Sequence, residues 1–364
     1  MQPRMVSVLA ALIGLLVFVV PTAAATGWSA PIVVYDGNYS EPSLAVDAHG
    51  FAHVVARGDT GIWYLTNKSG AWTRARLTTD YTQSGIHYRA IAPLITIDRS
   101  VGKLVVVYEM VADVDCEGCP PGVEYITRTG TDWSAARSVS TINPGSPLSI
   151  AARGGDIAIA ALGPEWPFGP KTQVLEYLHK ADGWALHRVA GGADYYSHIG
   201  APSLALDSAG RPRIAFQRKD HMKYATGATT SDDFTIETVG KVTAFVGPSL
   251  ALDPHDQPMI VWAAGKGTHF ARRAGVWSNS MVMPGHYDAR LVADGSGAHV
   301  ISSDGYNGLW YGTGTTSANW TSQQVVDMHT SGLGGIGVAP NGRVDIAYQR
   351  GHSSPRIWFT HTTH

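Results

Sequence analysis

The chain has 364 residues, with 27 lysines and arginines against 29 aspartates and glutamates and a formal net charge of −2. It carries no basic run, which removes the electrostatic footprint of a nucleic-acid binder. Glycine (41) and proline (20) are plentiful while only 15% of residues are charged, a composition for many short strands joined by tight turns rather than for helices.

The first segment, "MQPRMVSVLAALIGLLVFVVPTAAAT", has a basic start at Arg4, an apolar run from Val6 to Val20 and small residues at Ala23, Ala24 and Ala25. The run is short for a membrane span and ends in the small-residue pattern that signal peptidase cleaves. Residues 1–25 are therefore expected to be a signal peptide, leaving 26–364 as one exported domain, extracellular and off the membrane once the signal is cut. No cysteine stands near the cleavage point, so a lipid anchor is not indicated.

A tryptophan followed by an apolar run, "GWSAPIVV" from Gly27, comes next, and then the chain begins to repeat itself. "EPSLAVDAHGFAHVVARGDTGIWYLTN" starts at Glu41, "APLITIDRSVGKLVVVYEM" at Ala92, "SPLSIAARGGDIAIAALG" at Ser146, "APSLALDSAGRPRIAFQRKDHMKYATG" at Ala201 and "GPSLALDPHDQPMIVWAAGKGTHFARR" at Gly247. "DARLVADGSGAHVISSDGYNGLWYGTG" from Asp288 and "LGGIGVAPNGRVDIAYQRGHSSPRIWFTH" from Leu333 complete about seven copies, spaced roughly 40 to 55 residues apart, the period of a propeller blade. Each copy reads as an apolar strand A ("SLALD", 203–207), a polar turn, a strand B ("PRIAF", 212–216) and a strand C ("MKYATG", 222–227). A fourth strand D is marked by an aromatic at its start, at Trp72, Trp133, Trp184, Phe234, Trp277 and Trp320, read here as packing between neighbouring sheets.

The last copy stops after strand C, and "GWSAPIVV" supplies the missing fourth strand from the other end of the mature chain. The fold class is therefore all-β: a seven-bladed β-propeller of four-stranded blades, closed by an N-terminal strand that completes the last blade and leaves no open sheet edge. These weak P-S-L-x-x-D-x-x-G repeats resemble those of the sialidase-like superfamily of propellers, a resemblance that runs over nearly all of the mature chain. It implies a glycan partner, met as glycoside hydrolase, polysaccharide lyase or lectin, and fold analogy does not choose among them. The S-x-D-x-G-x-T-W boxes and the early R-I-P segment of sialidases proper are missing, so the resemblance does not extend to sialidase activity.

Cys116 and Cys119 in "DVDCEGCPPG" are expected to form a short-range disulfide in an exported chain, since one C-x-x-C is half a zinc site. Nearby Asp113, Asp115 and Glu117 are candidate ligands for Ca²⁺ or another divalent metal, without a glycine-spaced ligand register. No cofactor is required by the chemistry considered below.

The recurring turn aspartates, Asp47, Asp98, Asp207, Asp253 and Asp294, belong to one face and are read as turn formers. The other face, the mouth of the central channel, collects the segments entering strand A and the B-to-C connections. It gathers Glu41, His87, Tyr88, Arg89, Tyr195, Tyr196, His198, His286, Tyr287, Asp288 and His329, with Arg57, Glu109, Arg218 and Arg350 from the B-to-C side. Structural residues repeat from blade to blade whereas these do not, which favours one composite site on a monomer over the equivalent pockets of a multivalent lectin. Two chemistries fit. In β-elimination from a uronate, Arg89 would neutralise the carboxylate while His87, His198, Tyr196 or His286 moves the proton. In hydrolysis, Glu41 and Asp288, or Glu109 as substitute, would form the carboxylate pair. Tyr88, Tyr195, Tyr287, Arg57, Arg218, His329 and Arg350 are the candidate substrate contacts. A non-catalytic lectin and a scaffold for protein partners are the alternatives.

Overall fold

The computed structural model describes residues 27–38, 40–113, 122–139, 147–164, 172–194, 199–243, 247–286, 288–304, 308–316, 318–327, 330–351 and 355–363. These form seven antiparallel sheets, six with their strands hydrogen-bonded in chain order outward from the centre and the seventh completed by a strand from the start of the chain. Blades 1 to 6 span 40–76, 81–139, 148–194, 203–241, 249–284 and 288–326. Blade 7 takes strands A, B and C from Thr330–Val338, Val344–Arg350 and Arg356–His361, and strand D from Ile32–Tyr35 near the start of the chain. The closure is built from backbone: Ile32 pairs with Phe359, Trp28 bridges Thr362, and Ser29 N donates to His361 O at 2.8 Å.

Two repeated sequence features hold neighbouring blades together. The first is a ring of aromatic pairs. Each aromatic at a strand D packs on a strand C aromatic of the preceding blade: Trp133 on Tyr64, Trp184 on Tyr125, Phe234 on Tyr177, Trp277 on Tyr224 and Trp320 on Phe270, with centroids 4.8 to 6.1 Å apart. The ring is completed across the chain ends by Trp28 on Tyr311 at 5.2 Å and Trp72 on Phe359 at 4.9 Å. Most of these contacts are edge-on, the arrangement the ring quadrupole prefers, and such a pair is worth about 0.5–1.5 kcal/mol beyond its burial. Sequence spacing anticipates this role for the tryptophans, and Trp28 shows that the N-terminal segment enters the same register as the other fourth strands.

The second feature is the serine of the P-S-L motif. Its hydroxyl accepts a hydrogen bond from a strand A backbone N–H of the next blade: Ser43 from Ile95 at 3.1 Å, Ser149 from Leu204, Ser203 from Leu250 and Ser249 from Leu291, each of the last three at 2.9 Å. Strand A is the inner edge of its sheet, and an unpaired N–H there needs an acceptor. Blade 7 has Gly335 at the serine position. A Cβ at Gly335 would lie 2.4 Å from Leu44 N, so glycine lets blades 7 and 1 close up where the ring is sealed.

Blade 2 departs from the four-strand expectation. Its strand A is a 13-residue run, Ile86–Asp98, whose first half pairs with an extra strand, Tyr81–Gln83, and with the end of strand B, Lys103–Ala112. Its outer strand is split into Asp132–Trp133 and Arg137–Val139.

Candidate functional site

The start of every strand A points into the central channel. The prolines Pro42, Pro93, Pro147, Pro202 and Pro248 rim a cavity of about 810 Å³ at the mouth, and the aliphatic side chains behind them form its floor. Leu44, Ile95, Leu291 and Ile336 line both this cavity and a second one of about 590 Å³ toward the opposite face, so the channel narrows at an aliphatic waist. Below the waist Arg99 donates through Nη2 to Val46 O at 3.2 Å and Val338 O at 2.9 Å, bridging blades 1 and 7.

The charged side chains lining the mouth cavity are Glu41, Glu109 and Arg290. Glu41 sits at a bulge and holds a left-handed backbone (φ 57°) immediately before Pro42. Such a conformation is costly for a residue with a Cβ. Hydrogen bonds to both neighbouring blades hold it: Glu41 N donates to Gln349 Oε1 at 3.3 Å, and Glu41 Oε2 accepts from Ala92 N at 2.9 Å. Ala92 is itself left-handed (φ 49°), so two neighbouring blades carry the same strained step at the rim. Ile91, next to Ala92, is the cross-strand partner of Glu109. The two glutamates are thus mounted one backbone step apart at the blade 1–2 seam. Glu109 is 4% exposed and lies inside strand B, not in the B-to-C connection where sequence spacing puts it.

Arg290 occupies in blade 6 the position held by the inter-blade serines of blades 1, 3, 4 and 5. Sequence reasoning passed over it, although the arginine in "DARLVAD" against serine in "GPSLALD" was the available signal. Its Nη1 donates to Asp288 Oδ1 at 2.9 Å and to Ala289 O at 3.1 Å. Asp288, half exposed, serves as this arginine's partner at the rim and is not among the cavity-lining residues.

The other sequence candidates separate into groups. His87 and Arg89 stand together on the blade 2 extension, both on Asp113: His87 Nδ1 lies 2.7 Å from one carboxylate oxygen and Arg89 Nε bonds the other. Asp113 is held below the ordinary carboxylate range, chiefly by the His87 hydrogen bond and then by Arg89. All three are well exposed and stand off the cavity wall. Tyr88, buried beneath them, stacks on Tyr81 at 5.0 Å. His286 is buried edge-on to Trp310 at 5.1 Å, and burial lowers its pKa, so the imidazole is neutral. Arg57 grips Asp80 with both guanidinium nitrogens, at 3.0 and 2.7 Å. Arg218 Nη2 donates to Gly191 O at 3.0 Å, and Arg350 lies 4.9 Å over the Trp358 ring. Tyr195, Tyr196, His198, Tyr287, His329, Cys116, Cys119, Asp115 and Glu117 lie outside the described residues. Among the described residues, no three His, Cys, Asp or Glu side chains gather as a metal site.

On the opposite face the turn aspartates do structural work. Asp207 is fully buried and accepts from Ala209 N, Arg211 N, Arg211 Nε and Arg213 Nη2. Burial alone would raise its pKa, but these donors outweigh it and hold the carboxyl below its ordinary value. Blades 1 and 6 use histidine for the same purpose. His53 bridges Asp47 (3.2 Å) and Tyr64 OH (2.6 Å), and His299 stands 3.2 Å from Asp294 and 2.6 Å from Tyr311 OH. These Asp-His-Tyr chains look like proton relays, yet both histidines are buried among their partners.

The sequence matches no family profile and no curated protein. Among solved structures, a lectin from Aleuria aurantia, bound to Fucα1-6GlcNAc, superposes on 81% of this chain and 98% of its own at 12% identity, TM-score 0.51. A sialidase from Trypanosoma rangeli matches 90% of this chain at 8% identity, TM-score 0.50, and the match spans 55% of the sialidase. The likeness is one of fold. It agrees with the propeller that the sialidase-like resemblance implies, and assignment of chemistry rests on the mouth itself.

Proposed function

We propose that this protein is an exported, glycan-directed propeller whose ligand occupies the mouth of the central channel, where Glu41 and Glu109 act as the carboxylate pair of a glycoside hydrolase and Arg290 contacts the sugar. The observation that carries this reading is the convergence of two glutamates from adjacent blades and one arginine on a cavity of about 810 Å³ otherwise lined by prolines, aliphatic side chains, glycines and the inter-blade serines. Glycosidic cleavage needs an acid and a second carboxylate on either side of the bond. Glu109, 4% exposed on strand B, is assigned the general-acid role by its position on the cavity wall. Glu41, fixed from two blades, is assigned the role of second carboxylate. The strained backbone at Glu41 supports a functional role, since such strain persists where the surroundings over-determine it.

Elimination chemistry through Arg89 and His87 is less well supported, because both are engaged by Asp113 away from the cavity. The test is incubation of the mature protein with neutral and uronate-containing polysaccharides, reading new reducing ends and the ultraviolet absorbance of unsaturated uronates. Reducing ends without absorbance, abolished in Glu109→Gln, is the expected result. Absorbance that depends on Arg89 would replace hydrolysis with elimination, and saturable binding without product would make the mouth a lectin site. The absence of both binding and cleavage would overturn the glycan reading.

A further inference from the structure

A second site lies on the turn face, between blades 1 and 2, away from the mouth. A pocket of about 150 Å³ is lined there by Asp47, His49, His53, Lys68, Arg99 and Arg128 among other residues. Three permanent cations thus face one carboxylate. That carboxylate is already committed: Asp47 Oδ1 accepts from His49 N and Phe51 N, and Oδ2 faces His53. Burial outweighs the pull of Asp47, with smaller help from the charges of Arg128 and Lys68, and leaves the His53 pKa lowered and its ring neutral.

Arg128 is the telling residue. Its guanidinium lies against two ring faces, 5.4 Å from Tyr64 and 5.6 Å from Trp133, and its Nε, like those of Arg272 and Arg273, is buried with no hydrogen-bond partner. The equivalent register position in blade 5 is Arg272, as Leu104 pairs with Arg128 and Met259 with Arg272. Arg272 is neutralised by the aspartate of its own turn, Asp253, at 2.9 Å, and also bonds Thr315 O. In blade 2 the turn aspartate, Asp98, is instead turned to Ser100 and to Gly155 N of blade 3. Arg128 is left without a counter-charge among the described residues. Arg128 is partly exposed, and an anion beside it would supply the missing counter-charge.

We propose that this pocket binds a tetrahedral oxyanion, sulfate or phosphate, held by Arg128, Lys68 and Arg99. An arginine with its flat faces stacked presents its N–H edge as a fork matched to such an anion, and a lysine adds a point charge from another direction. The chemistry is shared by the free ion and by a sulfate or phosphate ester on a polymer.

The test uses the full mature chain, with thermal unfolding and calorimetric titration in sodium sulfate, sodium phosphate and sodium chloride at matched ionic strength. The expected result is a saturable rise in melting temperature with sulfate or phosphate beyond that in chloride, lost in Arg128→Met and weakened in Lys68→Gln, but kept in Glu109→Gln. Lys68→Gln serves as the deciding variant should Arg128→Met fail to fold, because Lys68 is exposed and it is Arg128 whose charge lies over the two rings. Dextran sulfate that displaces the free ion, with plain dextran inert, assigns the ester as a second source; failure to displace it restricts the pocket to the free ion. No saturable binding, or the same rise in wild type and both variants, overturns the proposal and reduces the effect to that of salt. Because the pocket and the mouth share no residue, failure here leaves the glycan reading untouched.

Discussion

Glu176 stands on strand C of blade 3, Thr172–His179, between Ala161 on one side and Arg188 on the other. Its carboxylate lies over Gly163, where a Cβ would come within 2.9 Å of Oε2. Burial pushes its pKa up from an ordinary 4.5 to about 7, against the opposing pull of Arg188. Between those two values the folded chain holds a proton that the unfolded chain has released, so stability falls as pH rises from about 4.5 to about 7 and stays reduced above it. At about 1.36 kcal/mol for each pH unit the two values are apart, the cost near pH 8 is about 3 kcal/mol for a dry site. Glu176 is partly exposed, and water access reduces this to about 1–2 kcal/mol. Glu176→Gln removes the charge while keeping the shape. Urea unfolding followed by tryptophan fluorescence should show the variant close to wild type near pH 4 and more stable by about 1–2 kcal/mol near pH 8. A constant offset at every pH, or a variant less stable near pH 8, would refute the assignment of a neutral carboxyl to this seam.

Other outcomes follow from the same contacts. Ser203→Ala and Ser249→Ala each leave a strand A N–H without its acceptor and should lower unfolding free energy by about 1 kcal/mol, measured by the same denaturation. Asp207→Asn leaves the partly buried Arg213 without its carboxylate, while the exposed Arg211 turns to water, and should cost about 1.5–3 kcal/mol at neutral pH. Because the folded pKa of Asp207 is depressed, its stabilisation is present above the ordinary carboxylate pKa and lost as pH falls below it. The variant's acid-side stability curve should therefore be flatter than that of wild type. Removing residues 27–36 takes away the outer strand of blade 7 and exposes the edge Arg356–His361. Light scattering should then show more self-association than the intact chain does.

The fold was largely legible because it is written as a repeat: strand D aromatics, strand C aromatics and P-S-L serines recur at fixed offsets, and each makes the same contact seven or four times over. The turn aspartates were legible for the same reason. The site was read less completely, because its residues are those that break the repeat. Arg290 is visible only as a departure from serine, and Glu109, a mouth candidate in sequence, is placed in strand B beside Glu41 only once the 13-residue strand of blade 2 is paired with its neighbour. Arg57 looked like a free mouth cation in sequence. Its partner Asp80 lies 23 positions away on a connection without a repeat, and such a pairing is fixed by tertiary packing alone.

The most direct test of the central claim is the crystal structure of the mature protein with an oligosaccharide selected by the polysaccharide panel. The account predicts one sugar in the channel mouth, with its rings against the proline rim and its polar groups on Glu41, Glu109 and Arg290. Sugar bound in repeated copies between the blades, with the mouth holding only solvent, would contradict it.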